Sequence, residues 1–271
     1  MSLLTVSQEL CVKCGICVEV CPNGIIGMTA EGPQIKYAPA CIACGHCTAV
    51  CPQGALDHVK APLDKQTKLV RYPVIDPETA AAFLRSRRSI RVYKKEKIAK
   101  EKILQLLDIA RFAPSGCNSQ GLSYIVIENS NRLKDITEAT IKWLEKQLQD
   151  GAEWAKAFAG VADVYRKQNV DVILRGAPSL IVATAPRNFP LGHDNARFSL
   201  EYVELYATAL GLGSCWAGFV EMAAGNFYQP LLAAMGIRED FTVAGAMMLG
   251  YPKYTYPRLA DRNPLQVSWL E

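Results

Sequence analysis

Apolar positions along the chain follow two regimes, and the change falls shortly after residue 56. Beyond Pro77 they recur over long segments with recognisable periods. The stretch "PETAAAFLRSRRSIRVY" opens this part as a helix. In "KEKILQLLDIARFAPSG" the residues Ile103, Leu106, Leu107 and Ala110 keep the helical step, so one face is buried, and Pro114 and Gly116 end the element. "LSYIVIE" predicts a buried strand, "NRLKDITEATIKWLEKQLQD" an amphipathic helix, and 153–175 a further helical region. "APSLIVATA" predicts a second buried strand. "DNARFSLEYVELYATALGLG" predicts a helix with Asp194 as N-cap and Gly211 at its end. That helix is apolar nearly all round, which places it at a domain centre or in a subunit interface. "DFTVAGAMMLGYP" predicts the last long strand. Helices outnumber strands, and the class is α+β or α/β with helices on both faces of one sheet.

Composition adds little to this picture. The chain has 271 residues, half of them apolar, enough for two domains with a sizeable core. Its formal charge of +4 does not point to nucleic acid. The first residues, "MSLLTVSQELC", lack a basic segment and a long apolar run, so no signal peptide is expected. No stretch approaches the roughly 20 apolar residues of a membrane span. The expectation is a cytoplasmic protein with no membrane partner, in which thiols stay reduced.

The cysteines change the picture more. Eight of the ten lie between Cys11 and Cys51, in two blocks offset by thirty residues: Cys11, Cys14, Cys17, Cys21 and Cys41, Cys44, Cys47, Cys51. The echo of "CPNGII" in "CPQGAL" extends the repeat past the thiols and predicts a duplicated unit with a pseudo-twofold. Disulfides fit poorly with a reducing compartment. Zinc takes two thiols from each CxxC pair and leaves the third surplus. An iron–sulfur cube uses it, because thiols at i, i+3 and i+6 in a Gly-containing loop converge on one cube while the Pro-flanked fourth ligates the other. This assigns Cys11, Cys14, Cys17 and Cys51 to one [4Fe–4S] cluster and Cys41, Cys44, Cys47 and Cys21 to a second. Gly15 and Gly45 leave room for the loops to wrap, and Pro22 and Pro52 stop the turns that follow. Residues 1–58 resemble the bacterial two-cluster ferredoxins, although the acidic surface common among those proteins is missing here. "HVKAPLDKQTKLVRYPVIDPE" then reads as an extended linker over 59–76, and a second domain spans 77–271.

Within that domain "RRSIR" places Arg87, Ser89 and Arg91 at alternate positions, either as a phosphate cradle or as a solvated basic face continued by Lys94, Lys95, Lys97 and Lys100. "APSGCNSQ" is a run of small polar groups after a helix stop. "GLGSCWAGF" lacks the strand-to-helix context of a dinucleotide fingerprint and reads as a Gly-rich loop that a flat ligand can approach.

These segments, with "RRSIRVY", "DNARFSLEYVELYATALGLGSCWAG", "GYP" and "RNPLQVSW" in that order, resemble the nitroreductase superfamily over about residues 80–271. The resemblance implies an FMN-binding α+β fold in an intertwined homodimer with a flavin at each subunit interface. By the family pattern Arg87, Ser89 and Arg91 meet the FMN phosphate and ribityl chain. Pro114, Ser115, Gly116 and Asn118 border the flavin from across the dimer. Cys215, Trp216, Ala217 and Gly218 form the loop at the ring, with the Gly218 amide facing N5. A C-terminal arginine reaches the phosphate, with Arg262 the first choice and Arg258 the second. Ala217 stands where many relatives carry an acidic residue.

Taken together, the two halves imply an oxidoreductase. Electrons from a low-potential donor such as ferredoxin, or from NAD(P)H, pass through two clusters to FMN and reduce a small electrophile: a nitroaromatic, a quinone or an activated alkene. The alternative is an electron-transfer or redox-sensing protein that acts on a protein partner. Cys117, Cys215 and His193 are read as ordinary thiols and a loop histidine before any redox or acid role, and His46 as an exposed residue near a cluster. Trp143, Trp154, Phe158 and Tyr165 are either core or a cover over the flavin.

Overall fold

The computed structural model describes residues 2–270 and resolves two compact units. One comprises residues 2–74 with 117–119; the other comprises 75–116 and 120–270.

The first unit is built on the repeat. Strand β1 (Leu4–Val6) is followed by the short helix α1 (Ile16–Glu19), strands β2 (Ile26–Thr29) and β3 (Gly32–Ile35), helix α2 (His46–Ala49) and strand β4 (Leu56–His58). β1 pairs antiparallel with β4, and β2 with β3. The backbone shows the duplication directly. Gly15 and Gly45 precede α1 and α2 with φ of 82° and 72°, a left-handed conformation that suits glycine. Lys13 and Ala43 share a φ of 54°. The core is small: Leu4, Ile25, Ile26 and Leu56 pack with Cys17 and Cys47. Part of the expected linker belongs to this unit. Leu63–Lys65 form a single turn, and Gln66 Nε2 donates to Thr48 Oγ1 at 2.6 Å. Beyond it, residues 67–76 are exposed.

In the second unit, helix α3 (Pro77–Ser86) starts where Asp76 Oδ1 accepts the Thr79 amide at 2.9 Å, with Pro77 in the first turn. Helix α4 (Lys100–Ala110), strand β5 (Ser123–Ile127) and helices α5 (Ser130–Gln149), α6 (Glu153–Lys156) and α7 (Ala159–Gln168) follow. Then come strand β6 (Ser179–Pro186), helix α8 (Gly192–Ala209), strand β7 (Gly213–Trp216), helices α9 (Gly218–Gly225) and α10 (Gln229–Met235), and strand β8 (Phe241–Gly250). The sheet is antiparallel throughout, in the order β5-β6-β8-β7. Its central strands are buried on both faces, and their side chains alternate between two apolar clusters. Leu180 and Val182 face the cluster of α5, α9 and α10, while Ile181, Ala183 and Ala185 face that of α4 and α8.

Three expectations are corrected. The opening helix stops at Ser86 instead of running through Tyr93, because residues 87–93 leave it extended, with Arg87 at φ −57° and ψ 129°, and pair elsewhere. Asp194 is not the N-cap: turns through Phe189 start the helix three residues earlier, at Gly192 with Leu191 as cap, and leave Asp194 in the first turn, where its charge suits the helix dipole. The stretch 211–219 is not a loop throughout, since Gly213–Trp216 form an edge strand and Gly218 opens a helix. The apolar character of α8 on more than one side has two parts. Ala196, Leu200, Val203 and Ala207 are buried, whereas Phe198, Tyr202 and Tyr206 stand exposed along another face.

Candidate functional site

Each half of the cysteine repeat encloses a hollow. One, of about 350 Å³, is lined by Cys11, Cys14, Cys17 and Cys51 together with Met28 and other apolar side chains. The other, of about 410 Å³, is lined by Cys21, Cys41, Cys44 and Cys47 together with His46 and His58. Three thiols of each block line its own hollow, and the last thiol of each block lines the opposite one. No three of the described His, Cys, Asp or Glu side chains meet at a point fit for a single metal ion. The thiols instead surround a space, which is the arrangement a cube with corner ligands needs. Desolvation raises the pKa of the Cys17 and Cys47 thiols. Two N–H groups already point at sulfur. The Ala55 amide donates to Cys51 Sγ at 3.3 Å, and the His58 imidazole Nε2 lies 3.4 Å from Cys41 Sγ.

In the second unit the site grows from the edge of the sheet. The extended segment after α3 lies parallel to β7, with Ser89 opposite Ser214 and the Ile90 amide donating to Ser214 O at 2.8 Å. Gly213 permits this approach, since a Cβ there would sit 2.4 Å from Ile90. Beside this edge an open hollow of about 660 Å³ is lined by Arg91, Arg175, Cys215, Trp216, Gly218 and Phe219, among others. Two guanidiniums at one side and the first residue of α9 at another give it cationic and amide donors. Burial raises the pKa of the Cys215 thiol, so it stays neutral and is no nucleophile at neutral pH. Phe158 also lines the hollow and meets Phe219 edge-on at 5.1 Å. Trp154 lies between Phe158 and the fully buried Trp143, so these rings connect core to site rather than forming a detached cover.

Other expected residues lie elsewhere. Arg87 Nη1 donates to Glu204 Oε1 at 3.1 Å, and burial raises the pKa of that carboxyl against the pull of Arg87 and Trp216. Pro114 and Ser115 line a separate hollow of about 430 Å³ with Asn195 and Ser199, and the Gly116 amide donates to Asn195 Oδ1 at 3.0 Å. Asn118 belongs to the first unit, where its Nδ2 donates to the carbonyls of Ile42 and Ala43 at 3.1 and 3.0 Å. Ala217 is buried, and its amide is taken by Ala246 O at 2.8 Å. Arg258 and Arg262 lie in an exposed C-terminal segment without helix or strand. Cys117, His193 and His46 are exposed. Three residues escaped the sequence reading. Arg175 has no motif around it, Glu204 is one polar residue of a helix, and His58 lies two positions beyond the CPQGAL echo that closes the repeat.

Residues 84–251 match the Nitroreductase family, and residues 10–56 match the 4Fe-4S dicluster domain. The chain therefore belongs to the Nitroreductase family, is an oxidoreductase, and carries a 4Fe-4S dicluster domain ahead of it. A relative from Archaeoglobus fulgidus, provisionally named NADH dehydrogenase/NAD(P)H nitroreductase, is 26% identical over 180 residues, 65% of this chain and 87% of its own length. An FMN-bound nitroreductase from Bacteroides fragilis shares the fold with a TM-score of 0.56 at 19% identity, covering 70% of this chain and 98% of that one. A second FMN-bound nitroreductase, from Desulfitobacterium hafniense, gives 0.55 at 20% identity, over 73% and 100% of the two chains. No described helix is long and apolar enough to cross a membrane.

Proposed function

We propose that this chain holds two [4Fe–4S] clusters and one FMN per subunit and reduces a small electrophile with electrons that enter through the clusters. Cys11, Cys14, Cys17 and Cys51 ligate one cluster; Cys41, Cys44, Cys47 and Cys21 ligate the other. The observation that carries the reading is the sorting of eight thiols into two sets of four around two hollows, each set completed by the other block's last cysteine. When bound, the cubes supply single electrons and FMN supplies hydride-level reduction at N5.

The chain's own residues do the rest. Arg91 and Arg175 offset the phosphate charge, and the Glu204 carboxylate holds the Arg87 guanidinium. The Ser89 hydroxyl serves the ribityl chain. The Gly218 amide, at the start of α9, would serve the ring, with Phe158 and Phe219 supplying apolar walls of the same hollow. Pro114 and Ser115 line a second hollow, and the Gly116 amide is held by Asn195 beside it; these residues serve the flavin of a partner subunit in a homodimer. The exposed row Phe198, Tyr202 and Tyr206 on α8 supplies an apolar face for that dimer. The donor is a low-potential carrier such as ferredoxin, or NAD(P)H, and the acceptor is a nitroaromatic, quinone or activated alkene. An anaerobic acceptor panel tests this reading: turnover of small acceptors supports it, and turnover only with a protein acceptor overturns it.

A further inference from the structure

The duplicated unit is symmetric in its thiols but not in what surrounds them. The thirty-residue offset that maps Cys11 onto Cys41 also maps Met28 onto His58 and Gly27 onto Asp57. Met28 and His58 line corresponding hollows. Met28 is 39% exposed and carries no N–H, whereas His58 is 2% exposed and fixed from both sides. Its Nδ1 accepts the Lys60 amide at 3.1 Å. An accepting Nδ1 carries a lone pair, so the ring proton sits on Nε2, and the 3.4 Å contact to Cys41 Sγ is an N–H···S hydrogen bond. Asp57 supports the geometry. Its Oδ1 accepts both the His58 and the Leu63 amides at 2.9 Å, and Gly27 offers no such group in the first half.

Reduction adds negative charge that spreads onto the ligating sulfurs. An N–H aimed at one of them stabilises the reduced state more than the oxidised one, and more strongly in a dry pocket than in water. The Ala55 amide plays a comparable part at Cys51, but it belongs to the backbone. His58 is a side-chain donor to a thiol, whereas in the first half Lys13, which lines the hollow, donates to Ala30 O instead.

We infer that His58 is a positioning residue that raises the reduction potential of the cluster held by Cys21, Cys41, Cys44 and Cys47, so that two clusters in a duplicated scaffold titrate separately. The inference rests on the cluster assignment proposed above.

The test is an anaerobic redox titration followed by EPR, on full-length protein whose iron and sulfide content has first been measured. His58→Met installs the other half's own residue. One of the two transitions then moves to lower potential, with its reduced-to-oxidised ratio at a fixed potential falling about fivefold for a hydrogen bond of ordinary strength, while the other stays in place. Two unmoved transitions, or two that move equally, overturn the inference. A wild type without two clusters overturns the cofactor reading instead. A second measurement needs no change at His58. In protein labelled with ¹⁵N-histidine and carrying His46→Ile, pulsed EPR detects a nitrogen coupling to one reduced cluster only. Absence of that coupling from both also overturns the inference, whatever the behaviour of His58→Met.

Discussion

The cysteine-rich unit and the sheet-centred unit hold themselves together by different means. In the first, the apolar core is six buried residues, two of which are cysteines, and the strands come in isolated pairs of three or four residues. Two-stranded sheets of that length are marginal in water. In the second, a four-stranded antiparallel sheet lies between two apolar clusters, and its central strands are buried on both faces. The difference separates two roles for a bound group. Where the core is this small, ligation contributes to folding itself. Where the core is large, a cofactor occupies a fold that stands without it.

Cluster removal breaks this comparison most sharply. Chelation of iron under reducing conditions is expected to unfold residues 1–66 and leave the sheet-centred unit cooperative, which hydrogen exchange reads segment by segment. Replacing both Cys14 and Cys44 by Ala should have the same regional effect, with loss of most of the iron. Next in size is the site edge. Gly213→Val forces a side chain into Ile90 and separates the Ser89 segment from β7, so FMN binding is expected to be lost together with several degrees of thermal stability. Glu204→Ala leaves Arg87 without its carboxylate, at a cost of about 2–3 kcal/mol, a buried ion pair discounted for the partial exposure of Arg87; thermal or chemical denaturation measures it. Arg91→Ala should weaken FMN binding by about 10- to 100-fold, the value of one charge-assisted hydrogen bond, with the melting temperature of the apoprotein unchanged. The smallest effect belongs to the α8 surface. Tyr202→Glu should leave the fold intact and shift sedimentation from dimer toward monomer at low concentration.

The two units also differ in how much of them the sequence discloses. The proposed cluster ligands are local: i, i+3 and i+6 within one loop, with the repeat supplying the fourth. The sets Cys11, Cys14, Cys17, Cys51 and Cys41, Cys44, Cys47, Cys21 are therefore legible from spacing alone, and the two hollows gather those same sets. The second site assembles from distant segments. Arg91 stands beside Trp216 only because the chain after α3 leaves its helix and runs along β7, and no local period encodes that pairing. Family resemblance supplied the segment names but not Arg175 or Glu204. Gly213–Trp216 looked like a loop because glycine and serine weaken a strand signal, whereas the strand forms through pairing with β8. The N-terminal turn of α8 shifted because capping competes with the tight turn before it. His58 is not legible from the repeat because the likeness ends at Ile26 and Leu56, and the halves diverge at Gly27/Asp57 and Met28/His58.

The central claim is that electrons delivered to the clusters arrive at the flavin. Anaerobic stopped-flow mixing of the loaded protein with reduced ferredoxin, followed at the flavin absorbance, tests it most directly. Rapid bleaching in the wild type, abolished in the Cys14→Ala/Cys44→Ala variant reconstituted with FMN, is the expected result. Equal bleaching rates in the two proteins would contradict the account.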